Sequence, residues 1–485
     1  MNEKPLLAPE LPIPAEDWEH TPASVREMVH GLWQQVQQLE REVAELKEPL
    51  HRNSRNSSQP PSSDGPAQQP STAEAQVPDQ TRRRGGQPGH SGHRRDLVPV
   101  AEVDRIEACK PAQCAGCGRA LEGEDPAPYR YQTVERPPVK PYTTEYPVHR
   151  LTCPCCGRVN RGELPTEAAV SAFGPNRTGL IAILMGVFRL SKRNVVALLA
   201  MCYRITLSPG SVVRVQTSVS AALAEPVEHA REAVQTHAAR YIDETGWRQG
   251  DQDRHGWLWV VVTPLVSVFT LVLSRAGRVA RALLDPDSDG AAITDRAGCY
   301  HGLKGWVWQV CWAHRLRDFQ KILERGGASY RIGENLRLQG EYLLVWWSHV
   351  RDGILSQADF LAALPAIQHA VRHWLTEGVA CTHPQTAETC RRLLDIEAAL
   401  WTFATHPNVE PTNNTAERAL RHAVIWRRTS YGTQSEAGSR FIERILTVVA
   451  TCRQQGRHPL EFVCPAVRAQ RAGLPAPSLL PDTLS

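Results

Sequence analysis

Tyr241-Ile-Asp-Glu-Thr-Gly-Trp247 decides how this chain is read. Arg240 to Asp243 has the character of a short strand that ends on a carboxylate. Two β-branched runs follow, Gly256 to Thr263 and Val266 to Leu273, and read as a hairpin. Ala276 to Leu284 is compatible with a helix. Ala291-Ala-Ile-Thr-Asp295 is a second strand ending on a carboxylate, and Trp306 to Trp312 is a further strand leading into His314-Arg-Leu-Arg317.

Three strands, a helix, a strand, a helix-like turn and a strand is the order of a ribonuclease-H-like α/β core. In that order Asp243 and Asp295 end neighbouring strands. A third carboxylate from a later helix completes a metal site, and Glu417 in Asn413-Asn-Thr-Ala-Glu-Arg418 is the candidate. Each acid also has a plainer reading. Asp243 and Glu244 suit an exposed turn, Asp295 suits a helix cap, and Asn414-x-x-Glu417 has capping-box spacing.

Taken together, Asp243-Glu-Thr-Gly-Trp, Thr294-Asp295, Cys311-x-x-His314 and Asn413-Asn-x-x-Glu417-Arg resemble the transposases of insertion-sequence family sixty-six. The likeness covers nearly the whole chain. It implies an Asp-Asp-Glu DNA transposase acting on the terminal inverted repeats of an element and on target DNA. It also implies accessory proteins of the same element and a bacterial, nucleoid-associated, cytoplasmic setting. Asp243, Asp295 and Glu417 are then the catalytic residues. They would hold two Mg²⁺ (or Mn²⁺) per active site, Asp243 shared and the others one ligand each, because hard carboxylate oxygens suit these ions. The rival readings are a nuclease of the same fold without strand transfer and a non-catalytic zinc-containing DNA-binding repressor. The intact acids favour an enzyme over the repressor.

The totals fit this. A chain of 485 residues with 42% hydrophobic content holds several domains and a real core. A net charge of +4 makes any nucleic-acid surface local. Thirteen cysteines, four of them in two Cys-x-x-Cys pairs, argue for a reducing compartment and metal rather than disulfides. No apolar h-region precedes His20, and no run reads as a membrane span.

Residues 1–22 read as a tail and 23–50 as a coiled-coil helix. Val25, Leu32, Leu39 and Leu46 recur every seven residues, with Val29, Val36 and Val43 at the other seam position. That pattern favours a parallel homodimer, or a larger assembly built on it. Residues 51–98 are a disordered basic linker, too poor in large apolar groups to fold. Its Arg82, Arg83, Arg84, Arg94 and Arg95 suit DNA phosphates. Residues 99–166 read as a ribbon in which Cys114, Cys117, Cys153 and Cys156 hold one structural Zn²⁺, with a β-rich insert from Tyr129 to Leu151. Cys155 stands beside Cys156 as an alternative ligand.

Residues 167–235 read as a helical DNA-binding unit, with helices over Leu180 to Leu190 and Lys192 to Tyr203 and a third started by Ser208-Pro209. It resembles a helix-turn-helix, and equally a plain packing unit. Ser211, Arg214 and Ser218 are expected on its outer face. Residues 236–320 and 411–466 form the two parts of the catalytic core, 321–410 an all-α insertion, and 467–485 a tail. His314, Arg317, Arg418, Arg421, Arg427 and Arg428 are the expected DNA contacts near the acids. Arg421 has the spacing to pair with Glu417 instead.

Overall fold

The structure, a computed structural model, describes residues 22, 25 and 96–481, apart from 136, 138, 251–253, 285–289 and 304–306. The coiled coil and the five linker arginines lie outside these residues, except that Val25 is helical and exposed.

The cysteine-bearing segment is small and open. β1 (Arg150–Thr152) pairs antiparallel with β2 (Val159–Arg161), with Leu151 opposite Asn160. Each Cys-x-x-Cys pair sits in a tight loop. Cys114 N donates to Arg119 O and Gly118 N to Cys114 O. Cys153 N and Gly157 N repeat both bonds with Arg158 O and Cys153 O. Gly118 and Gly157 take φ near +75° and +71°, a region that a side chain disfavours. The β-rich insert expected over Tyr129 to Leu151 is absent among the described residues, where strand begins only at Arg150. Pro137, Pro141 and Pro147 have no amide to donate, and Tyr129, Tyr131 and Tyr142 face solvent with no second sheet to cover them.

Helices α1 (Thr166–Val170), α2 (Pro175–Gly186), α3 (Lys192–Tyr203), α4 (Pro209–Ala222) and α5 (Ala224–Gln235) follow. The Ser191 and Ser208 hydroxyls cap α3 and α4, accepting from Asn194 N and Ser211 N. Helices α2 to α5 share one core with the end of the chain, α13 (Glu436–Gln454) and α14 (Pro459–Ala472). Arg471, buried, donates to Phe173 O and Thr178 Oγ1. Arg444 donates to Ser220 O. Residues 467–485, read from sequence as a tail, therefore begin as helix, and Leu479 beyond it is fully buried.

The central sheet has the order β5-β4-β3-β6-β7. β3 (Ala239–Gln249), β4 (Arg254–Val262) and β5 (Ser267–Val272) are antiparallel. β6 (Ala291–Thr294) and β7 (Trp308–Val310) run parallel to β3, with helix α6 (Gly277–Leu284) in the crossover. One expectation is corrected. β3 does not end at Asp243 but continues six residues further to Gln249, because β4 pairs with it from Tyr241 to Gln249. Only its parallel neighbour stops, pairing over Ala239 to Tyr241. Asp243 thus lies where β3 loses β6.

Between β7 and residue 404 the chain is helical: α7 (Trp312–Glu324), α8 (Ala328–Arg351), α9 (Gln357–Val379), α10 (Pro384–Leu394), α11 (Glu397–Leu400) and a 3-10 turn at Thr402–Ala404. α12 (Asn414–Ser430) then returns to β3.

The exposed edge of β5 is covered by α13. Thr451 Oγ1, Thr447 Oγ1 and a Glu443 carboxylate oxygen accept from the amides of Ser267, Phe269 and Leu271. Two strand residues advance about 6.7 Å and four helical residues about 6 Å, so alternate edge amides meet every fourth side chain of an antiparallel helix. The edge is thereby closed to other strands. Thr447→Val keeps the shape but leaves Phe269 N unpaired in the core. It should cost about 1–3 kcal/mol. Thr447→Ser, which keeps the acceptor, should cost about 1 kcal/mol for the lost methyl. Urea unfolding of the two variants measures the difference.

Candidate active site

The site forms at the end of the sheet where β3 and β6 part. Tyr241 lies opposite Ile293, and two residues further along Asp243 continues on β3 while Asp295 stands just past the end of β6. Asp295 Oδ1 accepts from Ala297 N at 2.8 Å, which turns the chain away from the sheet. Asp243 Oδ1 accepts from Glu244 N at 2.9 Å.

Glu417 arrives on the first turn of α12, and two contacts hold that helix to β3. Asn413, fully buried, donates from Nδ2 to Ile242 O at 2.8 Å, beside Asp243. Fourteen residues on, Arg427 Nη1 donates to Thr245 Oγ1 at 2.8 Å and Gly246 O at 2.5 Å. The capping-box reading is not realised. Asn413, not Asn414, is the N-cap residue, and it makes no side-chain cap. Glu417 instead meets His314, Nδ1 to Oε1 at 3.4 Å, and makes no ion pair with Arg421 among the described residues.

Charge defines the site. Burial, then the neighbouring charges of Glu244, Asp295 and Glu417, push the Asp243 carboxyl well above the usual range. Burial and Asp295 also raise Glu417, while Arg317 opposes the rise. Burial and Arg317 lower His314 to about 4, so its imidazole is neutral near pH 7 and its contact with Glu417 is not an ion pair. Cys311, buried at the head of α7, accepts from Asn413 N at 3.2 Å. Among the described residues, Cys311, His314 and Glu417 form the one group of three or more possible metal ligands whose atoms all lie within 4.8 Å of one another. Neither Asp243, Asp295 and Glu417 as a trio nor Cys114, Cys117, Cys153 and Cys156 are so closely gathered. Cys114 and Cys153 are each drawn below the usual thiol range by backbone N–H groups of their own loops, Gly116 and Cys117 for one and Cys156 and Cys155 for the other.

Glu244 was read from sequence only as an exposed-turn residue, and the structure overturns that. It lies on the opposite face of β3 from Asp243, with its side chain 2% exposed. Arg275 binds its carboxylate, Nε to Oε1 at 2.8 Å, and stacks on Trp257. Tyr300, fully buried, donates to the other oxygen and packs edge-on against Trp259, the residue opposite Glu244 on β4. Tyr300 follows Asp295 by five residues, so this clamp ties the Asp295 loop to the Asp243 strand. Strand alternation signals which face Glu244 occupies. Its partners, 31 and 56 residues away, carry no local signal.

The expected DNA contacts separate into groups. Arg214 is exposed on α4. Ser211 is a correction: it is buried, and its hydroxyl pairs with Ser208 Oγ because the capped first turn of α4 folds inward. Arg427 is also turned inward, to β3 as described. Arg418, Arg421 and Arg428 are exposed along one stripe of α12, while His314 and Arg317 are half-buried beside Glu417.

The raised Asp243 pKa has a sign. Protonation is favoured by the fold, so the stability it brings is full below the ordinary carboxyl value of 3.8 and is lost as pH climbs through the raised one. Asp243→Asn should therefore raise the Tm of metal-free protein at pH 8, by roughly 2–4 °C for each kcal/mol relieved. The gain should shrink toward pH 4. Thermal unfolding in chelator at both pH values measures it, and a gain independent of pH would mean that the charge is not the cause.

Comparison with known proteins adds the following. Uncharacterized protein y4qI of Sinorhizobium fredii is 34% identical over 92 residues, 19% of this chain and 17% of that protein's own length. The family model of a family of unknown function matches residues 13–96. The model of the transposase IS66 family matches residues 192–440. That span is just over half of the chain and holds Asp243, Asp295 and Glu417, and the chain belongs to the transposase IS66 family.

Proposed function

We propose that this chain cuts and joins DNA strands at the ends of an insertion sequence, with Asp243, Asp295 and Glu417 as its metal-binding catalytic residues on a ribonuclease-H-like core. The observation that carries the reading is the approach of three acids from distant parts of the chain, one on β3, one just past the end of its parallel neighbour and one on a helix fastened to β3, near enough for Asp295 and Glu417 to raise the Asp243 pKa. The strand order, three antiparallel then two parallel, supports the fold assignment.

The residues fit divalent cations. The charges felt by Asp243 are Glu244, Asp295 and Glu417, all acids, and a cluster of hard oxygen donors suits Mg²⁺ or Mn²⁺. Asp243 would be shared between two ions, with Asp295 and Glu417 holding one each. When bound, such a pair supplies an activated water and a stabilised leaving oxygen. The chain's own residues do the rest. Asn413 and Arg427 hold Glu417's helix on the strand of Asp243, and the Glu244–Arg275–Tyr300 clamp fixes the Asp295 loop. Arg317, beside Glu417, suits the scissile phosphate, and the Arg418, Arg421 and Arg428 stripe suits the flanking backbone.

Further parts belong to the same proposal. The cysteine loops form a zinc ribbon, the heptads of residues 23–50 make a dimer or larger assembly, and the five linker arginines follow phosphates. Accessory proteins of the same element would act with it, in the cytoplasm beside the nucleoid. Among the described residues no helix is long and apolar enough to cross a membrane.

Asp243→Asn, Asp295→Asn and Glu417→Gln should each reduce Mg²⁺-dependent cleavage of an end-bearing duplex to background while leaving its binding intact. Wild-type cutting by any one removes that residue from the site. Arg214→Ala should weaken binding to the true end by about 1–3 kcal/mol and random DNA little, as for a base-edge contact. Arg418→Ala should weaken both alike and lower the salt slope by roughly 0.9. Salt titrations of both variants on both duplexes decide between these roles.

A further inference from the structure

Cys311, His314 and Glu417 come together from two helix starts. Cys311 is the N-cap residue of α7, His314 lies on that helix's first turn, and Glu417 lies on the first turn of α12. Their ligand atoms are all within 4.8 Å of one another. His314 Nδ1 and Glu417 Oε1 are both sealed from solvent and neither has a hydrogen-bond partner. They stand 3.4 Å apart. Two ligands about 2.0–2.1 Å from one tetrahedral ion stand about 3.3–3.4 Å apart, so this is the spacing of two atoms facing a common cation. The sulfur already accepts an amide hydrogen bond from Asn413, the outer-shell support that metal thiolates receive.

We propose that Cys311, His314 and Glu417 form a further metal centre, adjoining the proposed Mg²⁺ pair through Glu417, that takes one zinc-class ion through sulfur, nitrogen and oxygen. A thiolate with an imidazole selects a borderline-soft ion over Mg²⁺, and three protein ligands leave a fourth position open. The ion offsets the cost of two buried, unpaired polar atoms. It also fastens the start of α12 to the start of α7, with Glu417 Oε1 engaged and its other oxygen left for the proposed Mg²⁺ pair. Only that last consequence rests on the catalytic reading; the ion itself is measured without DNA.

The test is zinc content of the full chain after gel filtration in metal-free buffer, with circular dichroism to confirm folding. Cys311→Ser and His314→Ala should each lower the zinc content by one ion per chain, and Cys114→Ser should remove a different one, leaving the Cys311 centre filled. His314 is partly exposed, so its variant should fold even if Cys311→Ser does not. Cobalt loaded in place of zinc should show a thiolate charge-transfer band that decreases in Cys311→Ser. Unchanged zinc in a folded His314→Ala protein would overturn the proposal whatever the Asp243→Asn protein does to DNA. Loss of one ion in that variant, with cleavage by Asp243→Asn intact, would uphold this centre and remove the catalytic reading.

Discussion

Four carboxylates, Asp243, Glu244, Asp295 and Glu417, are held around one end of a sheet, and like charges in a poorly solvated place repel. Much of the architecture near them is explained by that constraint. Glu244 is turned to the far face of the strand, where Arg275 pairs with its charge and Tyr300 donates it a hydrogen bond. The other three are near enough to act on one another's charge, with Asp243 and Glu417 raised in pKa and His314 kept neutral. The arrangement costs stability in the protein without a cation, and the proposed ions would relieve that cost.

Such a cluster persists only if the elements that carry it cannot move apart. Asn413 and Arg427 fasten α12 to β3 with bonds to backbone atoms on either side of Asp243. The sheet itself is closed on one edge by α13, whose Glu443, Thr447 and Thr451 supply acceptors that another strand would otherwise supply. That same helix is fastened to α4 through Arg444 and Ser220. The helical unit read from sequence as a separate DNA-binding domain therefore shares its core with the helices that support the active-site sheet, and Arg214 is presented from a rigid base.

The order of strands and the placement of Asp243, Asp295 and Glu417 near one another were legible in the sequence because each rests on local pattern: alternating apolar runs, breaks at glycine, and short motifs. What was not legible depends on partners distant in sequence. β3 runs past Asp243 because β4 accompanies it, and no residue within the strand announces that. Ser211 has the spacing of an outward position, yet the Ser208 cap folds it inward. Arg427 sits in a basic run suited to DNA, but the strand 181 residues earlier claims it. The insert between the cysteine loops has β-branched and aromatic residues without a second sheet to pack on, so composition alone misled there.

The central claim is that Asp243, Asp295 and Glu417 hold divalent cations, and anomalous diffraction from crystals soaked in Mn²⁺ tests it most directly. The account predicts anomalous density bounded by these three carboxylates, and loss of that density in Asp243→Asn crystals. Manganese found only elsewhere in the molecule, with the three carboxylates well ordered and bare, would contradict it.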